Sequence, residues 1–161
     1  MDGEPNKTTI RDYAPEDAAF VTAAVSGMMW ELLDSDRRED TNPGQVFELV
    51  RVQVESLCAR ADVATIIAAS HENAPIGCLL MGEFSHPFTG ACEGFIYYIF
   101  VAPEHRGAGV GRKLMTAAET IASRKGYVHV NLETFTLNRK ARLLAASLGY
   151  EEEYLGYRKR M

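Results

Sequence analysis

The sequence has few cysteines, no paired histidines and no long apolar run, and each shortage excludes a class of protein. Its three cysteines (Cys58, Cys78 and Cys92) form an odd set without C-x-x-C spacing, which argues against a disulfide framework. The four histidines are scattered, so no metal site is predicted. No apolar stretch reaches the roughly 18 residues that span a bilayer, and the first residues, MDGEPNKTT, do not resemble a secretory signal. We therefore predict a cytoplasmic protein with neither a metal nor a membrane partner.

The chain also lacks an excess of positive charge. It has 17 basic and 22 acidic residues and a net charge of −5 at pH 7, which argues against a nucleic-acid partner. Apolar residues make up 47% of the sequence and charged residues 24%, as in an average soluble protein. No repeat, linker or low-complexity tract interrupts its 161 residues, so we predict one domain over residues 1–161.

The first third of the chain predicts one strand followed by two helices. Residues 8–13 (TTIRDY) have the composition of a short strand. Pro15, followed by two acidic residues, is typical of a helix start, and apolar residues then recur at helical spacing as far as Leu32. A polar loop is predicted over residues 34–44, and the Asn-Pro pair near its end begins the second helix.

The rest of the chain predicts a sheet with two further helices. Runs rich in β-branched and aromatic residues predict strands at 63–70, 75–84 and 92–101, the first two joined as a hairpin. Beyond them the pattern predicts a helix over 110–125, a strand over 127–135, a helix over 138–148 and an extended segment over 150–158. The order β-α-α-β-β-β-α-β-α-β predicts an α/β fold, an α+β mixed sheet with helices packed on it.

A glycine-rich stretch, PEHRGAGVGRKL at residues 103–114, lies between a predicted strand and a predicted helix. Its three glycines fall at the helix N-terminus, where unpaired N–H groups and the helix dipole both favour an anion. Arg106, Arg112 and Lys113 add positive charge on either side. This arrangement predicts a diphosphate site.

Three other interpretations of this loop stay open at this point. A P-loop requires G-x-x-x-x-G-K-S/T, but Arg112 stands where its second glycine belongs. A dinucleotide-binding G-x-G-x-x-G starting at Gly107 puts its third glycine at the same arginine, although Glu133 ends the following strand as a ribose-binding acid would. The simplest alternative is a tight turn whose glycines serve only close packing.

Two motifs in the second half of the chain resemble those of a known family. Residues 101–112 (VAPEHRGAGVGR) match the Q/R-x-x-G-x-G/A signature of the GNAT superfamily of acyl-CoA-dependent N-acetyltransferases. Asn138, Ala141 and residues 148–150 (LGY) resemble the N-x-x-A and L-G-F/Y segment of that superfamily. The resemblance implies that strands 92–101 and 127–135 are parallel neighbours that diverge, with acetyl-CoA bound in the gap between them.

The resemblance also implies which residues bind acetyl-CoA. The pantetheine arm is expected along the main chain of Ile99, Phe100 and Val101, much as an added strand binds. Asn138 is expected near this arm, although it fits equally well as a helix cap. The diphosphate is expected on the loop, at Arg106, Gly107, Ala108, Gly109, Val110, Gly111 and Arg112.

The expected catalytic groups depart from the pattern of the superfamily. Many members carry a glutamate base at the position that aligns here with Phe95. Glu93 lies two residues earlier, on the same face of the strand, and is the first candidate for the base. Glu133, late on the other diverging strand, is the second. An exposed acid at a strand end is the alternative interpretation of Glu93.

A proton donor for the departing thiolate is also missing from its usual place. The superfamily often has a tyrosine seven residues after the helix asparagine, and here that position is Ala145. Solvent, Tyr97 or Tyr98 is left as the donor. Because successive residues of a strand face opposite sides, only one of the two tyrosines is expected near the site, and both also fit core packing.

The resemblance implies an acetyl-CoA-dependent N-acetyltransferase that acts by direct attack of a primary amine, with a small-molecule acceptor as the first choice. A peptide N-terminus or a lysine is the alternative acceptor, and a non-catalytic acyl-CoA sensor is the alternative function. Trp30 and Glu31, with the loop that follows them, are expected to bind the acceptor. A homodimer is a further expectation.

Overall fold

The computed structural model describes residues 8–159, and within that range the chain forms five strands and five α-helices. The strands are β1 (Thr9–Asp12), β2 (Ala64–Ala69), β3 (Pro75–Ser85), β4 (Cys92–Val101) and β5 (Val130–Leu132). The helices are α1 (Ala18–Leu32), α2 (Ser35–Glu39), α3 (Pro43–Cys58), α4 (Val110–Lys125) and α5 (Arg139–Ser147). Short 3-10 turns at Pro15–Asp17 and Pro103–His105 precede α1 and the glycine-rich loop.

The strands form one mixed sheet in the order β1-β2-β3-β4-β5. The first four are antiparallel neighbours, whereas β4 and β5 are parallel. Parallel neighbours need a crossover connection, and α4 supplies it. The predicted α/β fold with a mixed sheet is confirmed.

Two apolar layers hold the helices against the two faces of the sheet. On one face, α4 packs Leu114, Met115 and Ala118 against the sheet, each at most 1% exposed. On the other face, α1 and α3 bury their apolar stripes, including Val21 and Val50. These stripes follow the helical spacing on which the sequence prediction rests.

A bulge interrupts β4 at the point that concerns the site. Leu80 pairs with Tyr98 and Met81 with Ile96, so Tyr97 is an extra residue in β4. A bulge of this kind places two successive side chains on one face of the sheet. Tyr97 and Tyr98 therefore both pack on the side of α1 and α3. The prediction that they face opposite sides is wrong.

The start of α1 is tied to β1 by a buried ion pair. Two nitrogens of the Arg11 guanidinium donate to the Asp17 carboxylate at 2.6 and 2.8 Å, and the backbone N–H of Ala14 donates to it at 2.9 Å. Asp17 is only 2% exposed. These hydrogen bonds, chiefly those from Arg11, hold the pKa of Asp17 below its ordinary value despite burial. Asp17 thus fixes the turn from which α1 begins.

Residues 34–44 differ from the predicted polar loop, because they contain the short helix α2. The Asp34 side chain accepts a hydrogen bond from the backbone N–H of Arg37 at 3.0 Å and so caps that helix. The predicted start of the second helix is confirmed, since Asn42 caps α3 and exchanges hydrogen bonds with Gln45 as a capping box.

Of the last two predicted strands, the first is shorter than expected and the second is absent from the described residues. The strand predicted over 127–135 is reduced to three residues, Val130–Leu132. Residues 150–159 form no strand, and from position 151 onward they are exposed. Three successive glutamates (151–153) provide no alternating apolar face to bury against the sheet, which explains the difference.

Candidate active site

β4 and β5 are paired only near their beginnings, and the sheet opens beyond that point. The three pairs are Gly94 with Val130, Phe95 with Asn131, and Ile96 with Leu132. Within the described residues, no strand pairs with the β5-facing edge of β4 from position 97 to 101. Such an edge presents N–H and C=O groups that an extended ligand can bind. The residues predicted to contact pantetheine lie on this part of β4: Ile99, Phe100 and Val101.

The loop after β4 brings two left-handed glycines to the start of α4. The φ angle is +81° at Gly107 and +80° at Gly109, and Gly109 directly precedes the helix. A Cβ at Gly109 would meet no heavy atom within 4 Å, so the space beside the loop is open. Along α4, the first backbone N–H with an acceptor in the helix itself is that of Lys113, which donates to the Gly109 carbonyl at 3.1 Å. The earlier N–H groups of the helix are left for an anion such as a diphosphate.

The third glycine of the loop has a different role. A Cβ at Gly111 would lie 3.0 Å from a methyl group of Leu144 on α5. Gly111 therefore allows α4 and α5 to approach closely, which keeps α5 next to the glycine-rich loop. The packing interpretation of the glycines holds for this position, whereas the open space at Gly109 fits a ligand.

The basic side chains around the loop are held by neighbouring groups but keep free donors. Arg106 donates from Nε to the Val101 carbonyl at 2.9 Å, and Arg112 donates to Ser147 Oγ at 2.8 Å. Lys113 donates to the Thr8 carbonyl at 3.3 Å. Each guanidinium has five N–H groups, so both arginines retain donors for an anion.

Asn138 lies at the start of α5, where its side chain accepts a hydrogen bond from the backbone N–H of Ala141 at 3.2 Å. The helix-cap interpretation is therefore what the structure shows. The amide nitrogen of Asn138 is not used in that bond, and its role toward pantetheine stays a prediction.

Glu93 is a buried carboxylate with both oxygens engaged. It is 6% exposed, Asn131 donates to one oxygen at 2.7 Å, and His129 Nδ1 lies 3.1 Å from the other. The hydrogen bond from Asn131, more than that from His129, lowers the pKa of Glu93 against the opposing effect of burial. A carboxylate with a lowered pKa is a weaker proton acceptor. These contacts join β4 to the start of β5 just before the two strands separate.

Unlike Glu93, Glu133 lies directly after the last residue of β5. The last pair across the two strands is Ile96 with Leu132, so the next positions, Tyr97 and Glu133, lie at the beginning of the split. Glu133 is exposed, and its carboxylate has no hydrogen-bond partner among residues 8–159. Among the described residues, Glu133 thus has no hydrogen-bond partner, whereas both oxygens of Glu93 are engaged.

Neither tyrosine hydroxyl of β4 is directed to β5. Tyr97 donates to the Glu83 carbonyl of β3 at 3.3 Å, and Tyr98 donates to Gln53 Oε1 of α3 at 2.8 Å. The Phe95 ring lies 5.1 Å from that of Tyr97, centroid to centroid. The position that aligns with the glutamate base of the superfamily therefore holds a packed aromatic ring. Ala145 lies on α5 and offers no hydroxyl.

A recess lies between α3 and the bulge of β4, with a volume of about 400 Å³. We call it the α3 recess; its lining residues are Val52, Gln53, Ser56, Leu57, Tyr97 and Tyr98. Trp30 and Glu31, predicted to bind the acceptor, are not among them. They lie at the end of α1, where Arg38 donates to both of their carbonyls at 3.0 Å and stacks 5.2 Å from the Trp30 ring.

Sequence reasoning missed His129 and Asn131 as partners of Glu93. The pairing across the parallel strands, which brings them together, is set by long-range packing. One signal was nevertheless present. Polar residues at 129, 131 and 133 alternate with Val130 and Leu132, which pack on the side of α4. Such alternation predicts one polar face on this strand, opposite α4.

Two negative observations concern the described part of the chain. Among residues 8–159, no three histidine, cysteine or acidic side chains are grouped so that they could hold a metal ion. Over the same range, no helix combines the length and the apolar character needed to cross a membrane.

Residues 28–150 match the family model described as the acetyltransferase (GNAT) family. The rat protein named N-acetyltransferase 8F1 is 26% identical over 106 residues, which cover 59% of this chain and 48% of the rat protein. The match thus spans about half the length of that relative.

Solved structures share the fold over nearly the whole chain. A putative acetyl transferase from Pyrococcus furiosus is 19% identical with a TM-score of 0.82, covering 96% of this chain and 100% of the other. The aminoglycoside N-acetyltransferase AAC(6')-Iy in complex with CoA is 20% identical with a TM-score of 0.72, covering 100% of both chains. At these identities the likeness establishes the fold alone.

Proposed function

The chain belongs to the acetyltransferase (GNAT) family, and on that premise we propose that it transfers an acetyl group from acetyl-CoA to a primary amine of a small molecule. The observation that carries the proposal is the unpaired edge of β4, which leads through residues 102–109 to the open space at Gly109. An extended pantetheine arm suits the edge, and a diphosphate suits the start of α4. The neighbouring structure with bound CoA has the same fold and supports this choice of ligand.

Acetyl-CoA supplies the acetyl group as an activated thioester. In the proposed direct reaction, the amine nitrogen bonds to the thioester carbonyl carbon and the carbon–sulfur bond breaks. The sulfur leaves as a thiolate, a base removes a proton from the amine, and the thiolate acquires a proton. The reaction therefore needs a proton acceptor at the split between β4 and β5.

We assign the role of proton acceptor to Glu133, because it directly follows the last pair of β4 with β5 and its carboxylate accepts no hydrogen bond from residues 8–159. Glu93 is better suited as a positioning residue, since its oxygens already accept hydrogen bonds from Asn131 and His129 and its pKa is lowered. Because both tyrosine hydroxyls of β4 are engaged away from β5, solvent is the proposed proton source for the thiolate.

The test is to incubate the protein with acetyl-CoA and a panel of amines while the release of free thiol is measured. Thiol release that depends on an amine, with the acetylated amine found by mass spectrometry, is the expected result. The second candidate is a non-catalytic sensor, favoured by Phe95 and Ala145 at positions where the family often has catalytic groups. Tight binding of CoA without turnover of any small amine, peptide N-terminus or lysine would select the sensor.

A further inference from the structure

The α3 recess lies beside the point where β4 and β5 separate. Its lining includes Tyr97 and Tyr98, which directly follow Ile96, the last residue of β4 that pairs with β5. The opposite face of the sheet is filled by α4, whose Leu114 and Met115 are at most 1% exposed. An acceptor that approaches the split on the side of α1 and α3 therefore meets this recess.

The walls of the α3 recess are mainly apolar. Val52 and Leu57 of α3 line it together with the two tyrosines. Val52 is 56% exposed, so a ligand there would cover apolar surface that the protein itself leaves in water. The polar groups of the lining are the Ser56 hydroxyl, the Gln53 amide and the two tyrosine hydroxyls, which already donate to the Glu83 carbonyl and to Gln53.

The charges around the recess do not suit an acceptor with several ammonium groups. None of its lining residues carries a carboxylate. Two carboxylates elsewhere on α3, those of Glu48 and Glu55, are both engaged by Arg51. At the margin, the guanidinium of Arg60 lies 5.7 Å from the Tyr97 ring and donates to its hydroxyl at 3.2 Å. This guanidinium also forms an ion pair with Asp62, so the Asp62 carboxylate is already engaged. A second ammonium would lose water here without gaining an anionic partner.

We propose that the acceptor is an amine with a single amino group on an apolar body, and that this body binds in the α3 recess. The proposal rests on the acetyl transfer proposed above and names the substrate class of that reaction. The amino group extends toward the split beside Tyr97, and the apolar body covers Val52 and Leu57.

The first experiment compares two amines of equal length, hexylamine and 1,6-diaminohexane, with acetyl-CoA as the donor. They differ only in a second ammonium at the end that enters the recess. The expected kcat/KM is about tenfold higher for hexylamine. Ethylamine, which lacks the apolar body, is expected to react at least about tenfold less efficiently than hexylamine.

The second experiment places a charge in the recess. Val52→Arg is expected to raise the KM for hexylamine about tenfold, while the KM for acetyl-CoA is unchanged. Leu49→Arg is the matched control, because Leu49 is on the same helix and is 65% exposed but lies outside the recess. The control should alter neither KM, and an unchanged KM for acetyl-CoA in both variants shows that each is folded.

The outcomes separate this proposal from the acetyl transfer itself. Equal or better use of 1,6-diaminohexane, or an unchanged KM for hexylamine in Val52→Arg, overturns the assignment of acceptor class and leaves acetyl transfer standing. The absence of thiol release with every amine overturns both.

Discussion

Gly109 has a backbone conformation that a β-branched residue adopts only with strain, and it lies beside open space at the start of α4. A side chain there would occupy the position proposed for the diphosphate. We expect Gly109→Val to weaken CoA binding about 100-fold, equivalent to one or two hydrogen bonds to a charged group. Calorimetry with CoA measures the effect, and circular dichroism checks that the protein is folded.

A control for the strain itself is available at the other end of the same helix. Gly126 follows α4 with a φ of +77°, and a Cβ there would also meet no heavy atom within 4 Å. Gly126→Val should lower the free energy of unfolding by about as much as Gly109→Val does, about 1–2 kcal/mol, and the variant should still bind CoA normally. If Gly109→Val binds CoA as tightly as this control does, the loop is only a turn.

The roles proposed for Glu133 and Glu93 lead to different predictions for the variants of these two residues. Glu133→Gln removes the proposed proton acceptor while it keeps the shape of the side chain. We expect kcat to fall about 100-fold and the rise of the pH–rate profile to change. The measurement is thiol release from acetyl-CoA at saturating amine across the pH range.

Glu93→Gln is the comparison for that experiment. It weakens the contacts with Asn131 and His129 but leaves the proposed acceptor in place, so turnover should fall without a change in the shape of the profile. The reverse pattern, with the profile altered only in Glu93→Gln, would move the proton acceptor to Glu93.

At the scale of elements, the contact between β1 and the start of α1 depends on one buried carboxylate. Replacing Asp17 by asparagine removes the charge that pairs with Arg11, and we expect the free energy of unfolding at pH 7 to fall by about 2 kcal/mol. Because its pKa is lower in the folded state, Asp17 stabilises the protein above about pH 4, and this contribution is lost as the pH falls further.

Urea unfolding at pH 7 and at pH 3 tests both statements. The wild type should lose more stability between these two pH values than Asp17→Asn does. Glu16→Gln is the matched control, because Glu16 lies in the same turn but is exposed. A loss on acidification that is the same in Asp17→Asn and in the wild type would show that the buried pair does not contribute.

The elements that could be predicted from the sequence are those with local signals. Asn42 and Pro43 mark the start of α3, and the glycines on both sides of α4 mark its ends. The short helix α2 was missed because its cap, Asp34, lies within a run of charged residues that is also typical of a loop. Local signals therefore identify helices well when the cap is followed by an apolar stripe.

The features of the site that could not be predicted depend on long-range pairing. The bulge at Tyr97 arises from the register between β3 and β4, and no residue type in that strand requires it. The contact of Glu93 with Asn131 likewise depends on the parallel register of β4 and β5. The anion loop was predictable because its glycines, its charges and the helix start are all adjacent in sequence.

At the scale of the whole molecule, the two faces of the sheet contribute different parts of the proposed site. The face under α4 is closely packed and carries the helix whose start forms the proposed diphosphate site. The face under α1 and α3 leaves the recess beside the split. This division would bring two substrates to one point from different sides, which is what direct transfer between them requires.

Direct transfer also predicts that no residue of the protein carries the acetyl group during turnover. Cys78 is buried on β3, and burial raises the pKa of its thiol to about 12, which makes it a poor nucleophile. Cys58 is half-buried on α3, and Cys92 is exposed at the start of β4. We expect Cys58→Ser, Cys78→Ala and Cys92→Ser, tested singly, to keep kcat within about twofold of the wild type. Mass spectrometry after incubation with acetyl-CoA alone should show unmodified protein. An acetylated cysteine that forms and is discharged as fast as turnover would replace the direct mechanism with a covalent one.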